Sequence, residues 1–122
     1  MDFVLNARYP WQSAHEKRDG QWHAPMEIQL LRLGDCVLLA HAAETFNEIG
    51  VAVKDGSPAP ITLFAAYSNG CVGYVPTASA HALGGYEVEL APYFYRYPGL
   101  FDPVCEELVV EQSLEMLRVL WS

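Results

Sequence analysis

The sequence predicts an α/β fold, with α+β as the alternative class: one sheet layer holding a β-hairpin and a βαβ unit, and a C-terminal amphipathic helix packed on the sheet. Three observations predict it. Residues 26–33 alternate apolar and polar positions around Ile28 and Leu30, the period of a half-buried strand. Residues 36–41 are almost wholly apolar and are followed by a helical pattern and a second apolar run at 61–67, the order of strand, helix and strand. Val110, Leu114, Leu117 and Trp121 recur at steps of four, three and four, which puts them on one face of a terminal helix.

The elements follow in order. Gly34-Asp35 turns the chain between the first two strands, so 26–33 and 36–41 are predicted to pair as a hairpin. The second strand is expected to lie mid-sheet, covered on both faces. Over 44–54, Phe46, Ile49 and Val53 sit at helical spacing, and Asp55-Gly56 supplies a stop. Ser57-Pro58-Ala59-Pro60 cannot continue a helix, and 61–67 then reads as a strand parallel to 36–41. Residues 68–75 form a glycine-bearing loop, and Thr77 caps a short helix that Gly84-Gly85 ends. Residues 86–90 alternate like another strand. An aromatic stretch follows, with Tyr93, Phe94, Tyr95, Tyr97 and Phe101 broken by Pro92, Pro98 and Gly99, and Asp102-Pro103 suits a helix start.

With 122 residues, 52% of them apolar and 18% charged, the chain has the size and composition of one packed domain. Residues 26–122 are assigned to it, preceded by a polar and partly flexible segment, 1–25. The net charge of −8 repels phosphate backbones, so nucleic acid is not expected as a partner. No apolar run approaches the roughly 20 residues a membrane helix needs, so membrane insertion is not expected. The first residues lack the apolar core of a signal peptide, and Cys36, Cys71 and Cys105 are odd in number and widely spaced. Both features lead to the expectation of a reducing, cytoplasmic location.

Ligands in sheets with parallel strands gather beyond the carboxyl ends of those strands. His41 and Glu44 follow the first parallel strand, while Asn69 and Tyr74 follow the second, about 4.8 Å away across the sheet. An imidazole, a carboxylate and a phenol near one point suit a metal ion or proton transfer. Against this stand plainer roles: Glu44 as the acidic residue of a helix start, His41 as a strand-end side chain bonded to backbone or water, and Tyr74 as a buried ring.

The stretch Leu33-Gly34-Asp35-Cys36-Val37-Leu38-Leu39-Ala40, followed by Ala43-Glu44-Thr45-Phe46, resembles a passage of the neutral ceramidases. Tyr67-Ser68-Asn69-Gly70-Cys71-Val72-Gly73-Tyr74-Val75-Pro76-Thr77 is similar to their asparagine-tyrosine loop, and Gly84-Gly85-Tyr86-Glu87 to their next landmark. The resemblance runs from Glu27 to the C-terminus and implies that Glu44 and Tyr74 correspond to zinc ligands. It also implies that the family's two histidine ligands and its serine belong to an upstream part. His41 stands where the family pattern is apolar, and Ala43 where it has glycine. Zinc is thus the implied cofactor. Apart from the resemblance, His41, three residues before Glu44, or His81, on the short helix after Tyr74, is a local candidate nitrogen donor, and Asn69, His81 and Tyr86 are expected to line a ligand pocket.

Three functions follow as expectations. The first is a non-catalytic module that binds a small molecule or a metal. The second is an amide or ester hydrolase whose site is rebuilt or completed by another chain. The third is an oligomerisation module acting through the sheet edge and the aromatic stretch 93–101. A homo-oligomer is expected because a segment of a larger scaffold exposes apolar surface.

Overall fold

The computed structural model describes residues 15–122; what was expected of residues 1–14 lies outside them. It opens with a hairpin, β1 (Glu16–Arg18) and β2 (Gln21–His23), turned by Asp19 and Gly20, both at positive φ. An aspartate-glycine pair is a strong hairpin signal for that reason. The main sheet has three strands in the order β3 (Ile28–Leu33), β4 (Cys36–His41), β6 (Ile61–Ala65). β3 and β4 are the predicted hairpin, with Leu33 opposite Cys36 across Gly34-Asp35, and β6 runs parallel to β4. A small parallel pair lies beyond them, β5 (Glu44–Thr45) with β7 (Tyr74–Val75).

The crossover from β4 to β6 contains α1 (Asn47–Gly56), whose buried side is Ile49, Gly50 and Val53. The expected helix therefore starts three residues late, because Glu44 and Thr45 are taken up by β5. The last helix, α4 (Cys105–Trp121), packs beside α1 on the same side of the sheet. Val37, Leu39, Val53 and Leu117 form the centre of the core, with Leu30, Phe64 and Leu114 around them. A second cluster of Ala43, Ile49, Val72 and Val75 lies under the β5–β7 pair. Glycine lets the layers approach: a Cβ on Gly50 would meet the Phe64 ring at 3.1 Å, and one on Gly56 would meet Leu114 at 2.9 Å.

Two expectations are corrected. β4 is central but not covered on both faces, because α1 and α4 lie against one side only. On the other side Leu31, Leu38 and Leu63 stand in register across the three strands, with Leu33, Cys36 and Ile61 in the next row. Tyr86–Leu90, expected as a strand, is a π-helical turn that runs into a short α3 (Ala91–Phe94). Gly84 and Gly85 both have positive φ, and the Gly85 N–H donates to the Glu89 carboxylate at 3.1 Å. That local closure wins over the period-2 pattern, which has no neighbouring strand to pair with. Before it, α2 (Ala78–Leu83) is capped as expected, the Ala80 N–H donating to Thr77 Oγ1.

Candidate functional site

The chain leaves β4 at His41 and is stitched at once to the loop that follows β6. Ser68 N–H donates to the His41 carbonyl, Tyr67 N–H to that of Ala43, Val72 N–H to that of Ala42, and Glu44 N–H to that of Gly73. These bonds hold the two loops together at the carboxyl ends of the parallel strands. In the β5–β7 register Glu44 is paired directly with Tyr74.

Around the Glu44 carboxylate the side chains close into a cage. The Tyr67 hydroxyl donates to Glu44 Oε2 at 2.7 Å, and the Tyr95 hydroxyl donates to Oε1 at 2.6 Å. Cys71 Sγ lies 4.0 Å from Oε1 and 3.5 Å from the Tyr95 oxygen. Tyr95 stacks on Tyr97, whose hydroxyl donates to the Val72 carbonyl at 2.7 Å. Gly73, at φ +108, leaves room for this stack, since a Cβ there would lie 3.3 Å from the Tyr95 ring. The Tyr86 and Tyr74 rings lie nearly perpendicular with their centroids 6.1 Å apart, and Phe46 flanks Tyr74 from the other element.

A carboxylate that accepts hydrogen bonds from phenols makes those phenols harder to ionise. Hydrogen bonding toward Glu44, then burial, raises the Tyr74 phenol well above its ordinary value. Burial, then bonding to Cys71 and Glu44, does the same to Tyr95. Tyr97 is pushed up to about 12 by burial and then by the neighbouring Cys71. The Glu44 carboxylate thus favours the protonated, hydrogen-bond-donating form of the tyrosines around it.

The predicted residues separate into two groups. Glu44, Tyr74 and Tyr86 come together. His41 does not join them: it is fully buried, with Nε2 2.9 Å from Ser113 Oγ, Nδ1 3.3 Å from Thr45 Oγ1, and its ring edge-on to Phe64. Burial lowers its pKa to about 4, so it is a neutral core residue at physiological pH. Asn69 donates to Gln29 Oε1 at 2.7 Å on the exposed side of the loop, and His81 sits on α2 with a buried Nε2 that has no partner. Sequence reasoning missed Tyr67, Cys71 and Tyr95. Tyr67 and Cys71 lie within the quoted loop motif, whereas only the aromatic richness of 93–101 pointed toward Tyr95.

This site sits in a segment shared with a known enzyme. The crystal structure of neutral ceramidase from Pseudomonas aeruginosa is similar to this chain with a TM-score of 0.61 and 26% sequence identity. The match covers 76% of this chain and 15% of that one, so this chain spans only a small part of the ceramidase's length. Neither a protein-family model nor a curated protein sequence matches the chain.

Zinc commonly takes three or four nitrogen, sulfur or carboxylate donors. The Glu44 carboxylate is a donor of that kind, and a deprotonated Tyr74 phenol would add a second oxygen beside it. Among the described residues no three His, Cys, Asp or Glu side chains converge on one point. A separate hollow of about 620 Å³ lies on the far side of the Tyr95–Tyr97 stack, walled by Tyr97, Trp22, Phe101 and Leu108 and edged by His15.

Proposed function

We propose that this chain is a non-catalytic half-site: a ceramidase-like scaffold segment that presents Glu44 and Tyr74 to a small ligand or a metal ion and performs no reaction by itself. The observation that carries this reading is the β5–β7 register, which sets the carboxylate directly beside the phenol on paired strands. The likeness to neutral ceramidase supports the scaffold part of this reading, and the motif resemblance points to these two residues. Binding a cation here has a defined cost. Both Glu44 oxygens already accept a tyrosine hydroxyl, so a metal would share the carboxylate with those donors, and Tyr74 would have to give up a proton that the same carboxylate helps it keep.

A second reading, a hydrolase completed by another polypeptide, is favoured by the incomplete donor set. Two oxygen donors stand in place here and the remaining positions are open to donors from outside the chain. When bound, a zinc ion would supply Lewis-acid polarisation of a scissile carbonyl.

Calorimetric titration of chelator-treated protein with zinc chloride tests the half-site. Weak one-to-one binding is expected, reduced at least about tenfold, or roughly 1.4 kcal/mol, in both Glu44→Gln and Tyr74→Phe. Equal binding by wild type and both variants, or none by any, overturns the metal form of the proposal.

A further inference from the structure

Among the described residues there are two long helices, and both pack on one side of the three-stranded sheet. No described element covers the opposite side, although it is made of the residues that usually fill a core. Leu31, Leu33, Ile61 and Leu63 are 53, 68, 53 and 51% exposed, and central Leu38 is 36% exposed. Strand alternation puts Cys36 in the same layer, and the third row of that face is Gln29, Ala40 and Ala65. None of these positions carries a charge in a chain whose net charge is −8. Surfaces that face water across a sheet alternate apolar-in with polar-out; this one is apolar on both sides.

We infer that this face is an interface between two copies of the chain, which pack sheet against sheet to give four layers in the order helix, sheet, sheet, helix. A flat lattice of leucine and isoleucine is complementary to its own copy, and two such sheets pack about 10 Å apart with their strands near −30°. The exposed side chains offer on the order of 500 Å² per copy, so the pair reaches the roughly 1,000 Å² that marks a specific interface. A further exposed apolar area, around Tyr93 and Phe94, is a weaker candidate, because Glu87 and Glu89 of the adjoining π-helical turn place two negative charges beside it. The interface therefore lies on the sheet face and not on the aromatic stretch 93–101. It is independent of the Glu44 cage.

Sedimentation velocity from micromolar to submillimolar protein tests this. The wild type is expected to shift from monomer to dimer, and added salt to strengthen the dimer, since screening relieves the repulsion between two acidic copies while leaving the apolar contact intact. Leu38→Glu and Leu63→Glu should each raise the dimer dissociation constant by at least about a hundredfold with far-ultraviolet circular dichroism unchanged, because an unpaired carboxylate is then buried in the contact. Tyr93→Ser should leave it within about threefold of wild type. A measurement on the unmodified chain serves if a variant fails to fold: alkylation of Cys36, mapped by mass spectrometry, should slow as protein concentration rises, while Cys71 and Cys105 react at constant rates. A wild type that stays monomeric throughout, dimers that survive both glutamate substitutions, or a Cys36 rate independent of concentration would each overturn the inference.

Discussion

His41 shows how a residue picked for chemistry serves the interior instead. It ends a strand, follows a run of apolar residues and lies three positions before Glu44, which is why the sequence offers it as a nitrogen donor. The pleat decides otherwise. Strand alternation from Val37 and Leu39 turns it to the helix side, where Ser113 and Thr45 occupy its two nitrogens. Its native pKa of about 4 lies below the ordinary 6.5, so the unfolded chain takes up a proton that the folded chain refuses. The stability it confers is complete above pH 6.5 and is lost as pH falls toward 4, by at most roughly 3 kcal/mol across that window. Urea unfolding of wild type and His41→Gln at pH 7 and pH 4.5 checks this: the wild type should lose more stability on acidification than the variant does.

At the scale of elements, the contact between α1 and α4 depends on Gly56. A methyl group there would lie 2.9 Å from both terminal methyls of Leu114, so that side chain has to shift out of its place against the core. Gly56→Ala is expected to destabilise the fold by about 1–3 kcal/mol, read as a lower denaturation midpoint with an unchanged slope. The opposite sign, the usual gain from replacing glycine in a helix, would show that the two helices do not approach this closely. The strands and helices with strong periodicity were legible in the sequence: β3, β4, β6, α1 and α4 are all present, although α1 starts three residues late and β6 ends two residues early. The pieces that were misread are short and locally determined. The alternation of Tyr86–Leu90 looks like a strand until the Glu89 carboxylate closes back on Gly85. Asp19-Gly20 carried a hairpin signal that the polar character of its surroundings obscured. Of the site, Glu44 and Tyr74 were legible through motif resemblance, but Tyr95 was not. It reaches the carboxylate from a segment 51 residues away, and no local pattern encodes that contact.

For the whole molecule, the cage around Glu44 is a meeting point of distant chain segments. Its hydrogen bond to Tyr67 spans 23 residues, close to the separation between paired residues of β4 and β6, but the one to Tyr95 spans 51, far more than the β3–β4 hairpin or the β4–α1–β6 unit has to close. Contacts of long sequence separation repay their loop-closure entropy only after the shorter ones exist. The cage should therefore form after the folding transition state. Glu44→Gln is then expected to speed unfolding in stopped-flow measurements while leaving the folding rate nearly unchanged, a φ-value below about 0.3. A φ-value near one would place the carboxylate in the folding nucleus. Late assembly also sets the lifetime of the site: its ring of tyrosines is able to open and re-close many times before the helices on the sheet come apart, so exchange of whatever occupies it need not wait for the protein to unfold.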